Sequence, residues 1–185
     1  MPEKHIEKLT HETLKAARPT LDELKVRSRH PVRIVCENIR SLYNVGAIFR
    51  TADGALIEEL HLCGYTGYPP RKEIDKTALG SVESVPWSRH EDTVGLLKSL
   101  KKEGYCCIAL EHTESSQPYN EFDYIYPLCL VLGNEVEGVT PEALACCDGA
   151  VEIPMYGLKQ SLNVSVAAGI MAFHLVNDFL EKMPM

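Results

Sequence analysis

Two polar side chains, Asn44 and Arg50, follow a run of β-branched residues and lie in a segment with the composition of a helix start, NVGAIFRTAD. In an open parallel sheet, ligands bind beyond the carboxyl ends of the strands, where this segment would lie. An ordinary structural explanation is also open. Asn44 would then cap the helix, and Arg50 would pair with Asp53 three residues later.

Two carboxylates, Glu135 and Glu137, lie between glycines in a second segment, LVLGNEVEGV, which spans residues 130–139. Glycine lets the backbone approach a ligand closely, so this loop is a candidate binding loop. It has neither the GxGxxG pattern nor the Lys-Ser/Thr of a P-loop, which disfavours binding of a nucleoside triphosphate. A plain turn from strand to helix remains the alternative.

A third polar segment, IPMYGLKQSLNVSVA, spans residues 153–167 and leads into an apolar helix. Ser161 is able to cap this helix, and Asn163 would lie in its first turn. Polar side chains at the start of a buried helix need hydrogen-bond partners. A ligand or a neighbouring loop could supply them.

Short apolar runs alternate with helical patterns along most of the chain, which predicts an α/β domain with a mostly parallel sheet flanked by helices. Residues 1–30 form a basic helical appendage, interrupted at Pro19, and residues 31–185 form the main domain. A loop rich in Gly, Pro and Tyr extends to Pro70. We expect strands at 32–36, 59–63, 105–110, 128–132 and 151–153, and helices at 45–57, 94–102, 141–146 and 161–182.

The chain has 185 residues, 45% of them hydrophobic, and a net charge of −7, which indicates one globular domain. The charge is unevenly distributed. Residues 1–50 carry 10 Lys and Arg against 6 Asp and Glu, whereas residues 51–185 carry 9 against 20. A polyanion should therefore meet the N-terminal part. Its candidate contacts are Lys25, Arg27, Arg29, Arg33 and Arg40.

Seven cysteines occur without a CxxC motif or zinc-finger spacing, and most lie in apolar runs. We therefore expect reduced thiols, no metal site and a cytoplasmic protein. The polar first ten residues also argue against a secretory signal.

The last predicted helix has no charged residue between 161 and 177 and is apolar on two faces. Such a helix is covered on both sides. Its polar residues disfavour insertion into a membrane, so we expect one face to pack on the sheet and the other on a second subunit. The pattern predicts a homodimer.

Together the three segments resemble the SpoU/TrmH branch of the SPOUT methyltransferases. The matching stretches are NVGAIFRTAD, LVLGNEVEGV and IPMYGLKQSLNVSVAAGI, in the family's order and approximate spacing. The resemblance covers about residues 32–180. One departure is Val136, where the family usually has glycine; because Gly138 is kept, we expect altered loop flexibility and retained function.

This resemblance implies an RNA ribose 2′-O-methyltransferase that uses S-adenosyl-L-methionine, forms a homodimer and has a C-terminal trefoil knot. The cofactor would lie at the knot and contact the backbone of Gly133, Ile153 and Leu162. By the same resemblance, the polar catalytic cluster consists of Asn44, Arg50, Glu135, Ser161 and Asn163.

The role of Arg50 is open between base and electrostatic stabiliser. A guanidinium is ordinarily locked in its protonated form, which favours binding of a phosphate and stabilisation of a developing alkoxide. Asn44 and Asn163 would position the loops and the arginine. Glu135 would anchor its loop or orient Asn44.

Specific features of the sequence disfavour other functions. Methylation of a base is disfavoured by the SLNVS stretch of the third segment, and a non-catalytic relative by the presence of Arg50 and Asn163. A serine hydrolase is excluded by the absence of a GxSxG motif. An appendage of about 30 residues leaves no separate RNA-binding domain, so tRNA is the first substrate choice and rRNA the second.

Overall fold

The computed structural model describes residues 6–183, so residues 1–5 and 184–185 of the two predicted regions lie outside it. The strands are β1 (His30–Glu37), β2 (Ile57–Cys63), β3 (Trp87–His90), β4 (Cys106–Leu110), β5 (Gln117–Pro118), β6 (Leu128–Leu132) and β7 (Gly149–Glu152). The helices are α1 (His11–Ala16), α2 (Leu21–Val26), α3 (Leu42–Gly54), α4 (Lys72–Ala78), α5 (Ser81–Ser84), α6 (Thr93–Lys102), α7 (Pro141–Leu144) and α8 (Val164–Lys182).

The strands form one parallel sheet in the order β3-β2-β1-β6-β4-β7-β5. β1 lies between β2 and β6, with Cys36 opposite both Leu62 and Leu132. Because all strand pairs in this sheet are parallel, the carboxyl ends of β1, β6 and β7 meet at one edge. The predicted α/β class with a parallel sheet flanked by helices is confirmed. The trefoil knot stays a prediction.

Apolar side chains cover both faces of the sheet, because successive strand residues point to opposite sides. Leu130 of β6 belongs to the core formed with α3 and α8, whereas its neighbour Val131 belongs to the core under α6 and α7. All five residues of β6 are buried. A strand buried on both faces reads as a continuous apolar run, which is why β6 was located correctly from the sequence.

Two helices begin three residues away from the predicted start. α3 begins three residues earlier, and the Ser41 hydroxyl accepts a hydrogen bond from the Asn44 N–H at 3.3 Å, so Asn44 is not the cap. α8 begins three residues later, with Asn163 as its N-cap in place of Ser161. Several Ser and Asn residues near each start are able to cap, and only the path of the preceding loop selects among them.

The segment after Pro70 contains α4, α5 and β3, none of which was predicted. β3 adds an edge strand, with Trp87 opposite Leu60. α4 packs closely on α3, where a side chain at Gly46 would collide with Ile74 and Thr77. Only Ile74 and Ala78 of α4 are buried, too few to give a clear helical period.

The N-terminal appendage, predicted to be helical and interrupted at Pro19, contains two short helices, one on either side of this proline. α1 and α2 bury no residue, and Thr10 and Thr20 cap them. Arg29 joins this part to the sheet by donating to the carbonyl oxygens of Ile57 (3.0 Å) and Ser84 (2.5 Å). A domain boundary near residue 30 stays a prediction.

Candidate functional site

A pocket opens at the carboxyl edge of the sheet, between the loops that follow β4, β6 and β7. The three residues expected to contact the cofactor, Gly133, Ile153 and Leu162, all line this pocket, and so does Ser161 of the expected catalytic cluster. It is also lined by Leu110, Glu111, His112, Leu132, Asn134, Glu135, Val136, Glu137, Gly138, Glu152, Met155, Val164 and Ala167.

The glycine loop after β6 folds back on itself. The N–H groups of Asn134 and Gly138 each donate to the other residue's carbonyl oxygen, at 2.9 and 3.0 Å. A side chain at Gly133 would collide with the backbone of Gly138, which itself has a positive φ of 73°. Both glycines are therefore required by the backbone path. Val136 lies at the tip with 76% of its surface exposed, so its side chain fits there without a clash.

The Glu135 carboxylate joins the glycine loop to the start of α3. It accepts hydrogen bonds from the backbone N–H groups of Arg40 (2.9 Å) and Ser41 (3.1 Å) and from the side-chain amide of Asn44 (2.8 Å). Partial desolvation raises the pKa of Glu135, but these hydrogen bonds outweigh it and hold the pKa below its ordinary value. Glu135 is therefore a carboxylate at neutral pH.

Asn163 extends this network to the third segment. Its side-chain amide donates to the Asn44 side-chain oxygen at 3.1 Å, and its own oxygen accepts from the Ser165 N–H at 2.9 Å. Glu135, Asn44 and Asn163 thus form a continuous hydrogen-bonded chain that links the glycine loop, the first turn of α3 and the N-cap of α8. Ser161 is exposed beside them, and its hydroxyl has no hydrogen-bond partner within residues 6–183.

Arg50 does not join this network within one chain. It lies on the exposed side of α3, in a groove shared with Phe173 of α8 and Lys76 of α4. No ion pair to Asp53 forms; the Asp53 carboxylate instead accepts from the Ser84 hydroxyl at 2.5 Å. The guanidinium of Arg50 has no hydrogen-bond or ion-pair partner in the described part of the chain.

The pocket contains polar residues that the sequence analysis missed. Glu111 accepts from the N–H of Val139 at 2.9 Å and so supports the glycine loop. His112 and Ser116 both contact the Glu152 carboxylate, at 3.2 and 2.6 Å. Glu111 and Glu152 each lie at the carboxyl end of a strand, where ligands bind in parallel sheets. This position could have identified them as candidate pocket residues from the sequence.

Three of the five cations proposed to meet a polyanion have partners within the protein. Lys25 pairs with Asp22 at 2.9 Å on the exposed surface of α2. Arg29 and Arg33 are held by internal contacts, so the prediction was wrong for these two. Arg29 binds backbone carbonyls, as described above. Arg33 pairs with Glu58 (3.0 Å) and Glu103 (3.2 Å) and lies 4.4 Å from the Tyr105 ring centre. Strands bring these partners together from distant parts of the chain, which the sequence does not reveal.

The seven cysteines are all unpaired. Burial raises the pKa of Cys63 to about 12, so this thiol stays protonated and unreactive. Across residues 6–183, no group of three or more His, Cys, Asp and Glu side chains is arranged to hold a metal ion.

By length and composition alone, α8 could cross a membrane. In the structure it packs one face on the core. The buried residues on that face are Ala167, Ala168, Met171, Ala172, Leu175 and Val176.

The model of the SpoU rRNA Methylase family matches residues 31–173. The chain is 36% identical over 170 residues to the tRNA (guanosine(18)-2′-O)-methyltransferase of Thermus thermophilus, covering 92% of this chain and 87% of that protein. Its structure superposes on the A. aeolicus TrmH/SpoU tRNA modifying enzyme with a TM-score of 0.79 and 32% identity, covering 88% and 83% of the two chains. An AdoMet-bound rRNA methyltransferase from Sinorhizobium meliloti gives a TM-score of 0.75 at 27% identity, over 88% of this chain and 60% of that one.

Replacing Glu135 with Gln should loosen the contact between the glycine loop and α3. A neutral amide accepts more weakly, and its NH2 group would face an N–H donor, so we expect a loss of about 1–3 kcal/mol in unfolding free energy. Urea unfolding measures it, with Glu137→Gln, an exposed neighbour, as the control.

The same comparison predicts a pH dependence. Because the folded-state pKa of Glu135 is lowered, its stabilisation is present above the ordinary value of 4.5 and is lost as the pH falls through the folded-state pKa. The difference between wild type and Glu135→Gln should therefore shrink in acid. A constant difference from pH 7 to pH 3 would contradict the assigned network.

Proposed function

The chain belongs to the SpoU methylase family, and from this membership we propose that it is an S-adenosylmethionine-dependent enzyme that methylates a ribose 2′-hydroxyl of tRNA. The observation that carries the proposal is the hydrogen-bonded chain from Glu135 through Asn44 to Asn163 at the pocket. It assembles three of the five residues that the family resemblance assigns to the catalytic cluster. Residues of the glycine loop and of the segment that leads into α8 line the same pocket.

The pocket has the chemistry to hold S-adenosylmethionine. Gly133, Ile153 and Leu162 line it, and Gly133 admits no side chain. Carboxylates line the same pocket, which suits a ligand with a positively charged sulfonium and ammonium. When bound, this cofactor supplies an activated methyl group, so the protein's main task is to position the acceptor hydroxyl.

We choose tRNA as the substrate because a relative of similar length is named as a tRNA methyltransferase. The Thermus thermophilus enzyme is named for 2′-O-methylation of guanosine 18 in tRNA, and 87% of its length is matched. The second candidate is rRNA, supported by the Sinorhizobium meliloti rRNA methyltransferase, of which the chain matches 60%. Methylation assays on separate tRNA and rRNA pools, followed by mapping of the modified nucleotide, decide between them.

Within the site, the Glu135 carboxylate fixes Asn44, and Asn44 in turn fixes Asn163. These residues hold the loops that form the pocket wall, and we assign them positioning roles. The free hydroxyl of Ser161 is available to a ligand at the same wall.

We assign Arg50 an electrostatic role toward the RNA. A guanidinium with no partner among residues 6–183 is available to bind a phosphate bidentately. A guanidinium side chain is suited to stabilising negative charge on the acceptor oxygen and poorly suited to removing a proton.

We propose that the protein is a homodimer joined through the outer face of α8. Val166 and Phe173 are each about half exposed on this face, at 51% and 50%, and Leu180 is at 49%. A second copy would cover this apolar stripe. Arg50 lies beside Phe173, so the interface would bring it next to the partner subunit. The arginine would then serve a site shared between two chains.

Three further proposals follow from family membership and composition. The segment after β7 passes through an earlier loop as a trefoil knot. Residues 1–30 act as an accessory RNA-binding appendage. The protein works in the cytoplasm, where tRNA is modified and where seven free thiols stay reduced.

Arg50→Ala should lower the methylation rate about 100-fold or more, because it removes a positive charge that stabilises the transition state. Cofactor affinity should stay within a few-fold of wild type, since Arg50 does not line the pocket. Single-turnover kinetics and calorimetric titration of the cofactor measure the two effects. Arg71→Ala, at another exposed arginine, is the control. Equal losses of methylation rate and cofactor affinity would show that the role assigned to Arg50 is wrong.

Phe173→Glu should yield folded monomers, because it places a charge in the proposed interface. Leu175→Glu should instead unfold the chain by a loss of several kcal/mol, since Leu175 is fully buried in its own core. Met171 is equally buried, so Met171→Glu should also unfold the chain and would not test dimerisation. Light scattering and urea unfolding measure the outcomes. A fully active Phe173→Glu monomer would refute the shared site.

Deleting residues 1–28 should weaken RNA binding while leaving cofactor affinity unchanged. The deletion spares Arg29, which supports the fold, and removes Lys15, Arg18 and Arg27, which have no ion-pair partner within residues 6–183. For duplex nucleic acid, each phosphate contact that is lost reduces the slope of log affinity against log salt concentration by roughly 0.9. Lys98→Ala on α6 is the control. An unchanged slope would mean that the appendage has no role in RNA binding.

A further inference from the structure

Tyr65, in the loop after β2, is an aromatic residue that is exposed but held in place. Its surface is 60% exposed, yet its hydroxyl oxygen accepts a hydrogen bond from the Asn134 side-chain amide at 2.8 Å. Its backbone N–H donates to the Asn38 side-chain oxygen at 3.2 Å. The ring is therefore anchored at both ends while much of it faces solvent.

Asn134 is a rigid anchor, because only 7% of its surface is exposed and its side-chain amide makes four hydrogen bonds. Its oxygen accepts from the N–H groups of Val136 (2.8 Å) and Glu137 (2.9 Å), and its NH2 group donates to Asn38 as well as Tyr65. These contacts fix which end of the amide is the donor. The Tyr65 oxygen must accept, and its own proton points elsewhere.

The loop that carries Tyr65 adopts an uncommon backbone conformation. Asn38 has a φ of 56°, and Gly64, the residue before Tyr65, has a φ of 61°. A side chain at Gly64 would collide with Asn38. A strained asparagine and a required glycine together keep one exposed ring in place. Packing does not explain this arrangement, since most of the ring lies outside the core.

Tyr65 stands next to the site but outside the pocket. Its anchor, Asn134, directly precedes Glu135, and Asn38 lies two residues before Arg40, whose N–H binds the same Glu135. Tyr65 itself does not line the pocket, which disfavours a role in binding the cofactor. Arg40 is exposed on the same rim and gives it a positive charge.

We propose that Tyr65 is a stacking platform for a nucleobase of the RNA substrate, next to the ribose that is methylated. This rests on the proposed function. Proteins bind unpaired RNA bases by stacking them on aromatic side chains, and a ring that is already fixed loses little entropy on binding. Stacking accepts any base, so Tyr65 contributes affinity and placement without reading the sequence.

Tyr65→Leu removes the ring and should raise the KM for an unmodified tRNA transcript roughly 5- to 150-fold, the usual range for one stacked base. The kcat should fall much less, and cofactor affinity should be unchanged. Tyr65→Phe keeps the ring without its anchor and should raise KM by a smaller factor. Tyr65→Trp, with a larger ring, should retain RNA binding. If Tyr65→Leu proves unstable, the comparison of wild type, Tyr65→Phe and Tyr65→Trp still tests the proposal.

Ile125→Ala is the control, since it removes a side chain of similar exposure (66%) just before β6, at the opposite edge of the sheet. A single-stranded oligoribonucleotide containing 2-aminopurine gives a direct signal. Its fluorescence should be quenched by the wild type and by Tyr65→Trp, and not by Tyr65→Leu.

The proposal is overturned if Tyr65→Leu leaves both KM and quenching unchanged, or if it weakens cofactor binding as much as RNA binding. If the wild type methylates no RNA, the proposed function fails. The quenching measurement still reports whether Tyr65 stacks on a base.

Discussion

The carboxylate of Glu135 is the interaction on which the site depends. It lies in a loop after the central strand β6, and it accepts two hydrogen bonds from the segment that joins β1 to α3 and a third from Asn44 in the first turn of α3. One ionised side chain thus satisfies two backbone donors that would otherwise be unpaired at a helix start. It also fixes the amide of Asn44, from which the chain continues to Asn163 and α8.

This connection is possible because the sheet is parallel. β1 and β6 are neighbours in the sheet although about 90 residues separate them in sequence, and their carboxyl ends lie side by side. A second carboxylate, the buried Glu37 at the end of β1, accepts from the N–H and hydroxyl of Thr140, each at 2.9 Å. Two acidic residues therefore hold the loops after β1 and β6 together. The pocket wall and the rim around Tyr65 are built on this pair of loops.

The inner and outer faces of α3 and α8 have different functions. Their inner sides fill the core with residues such as Phe49 and Met171, while their outer sides carry Arg50 and Phe173. Because Arg50 faces away from the pocket of its own chain, its proposed role requires the partner subunit. The proposed dimer interface would account for both the apolar stripe on α8 and the guanidinium of Arg50, which has no partner within residues 6–183. Catalysis and dimerisation would then be coupled in this fold.

The sequence alone determined the α/β class, the buried strand β6, the two glycines of the binding loop and the residues from which family membership was recognised. These depend on local composition and spacing. Tertiary structure decided which polar group meets which: it made Ser41 and Asn163 the caps and used Arg33 for internal ion pairs. Hydrogen bonds and ion pairs form wherever the folded backbone brings partners within about 3 Å, and a sequence pattern carries no record of that distance.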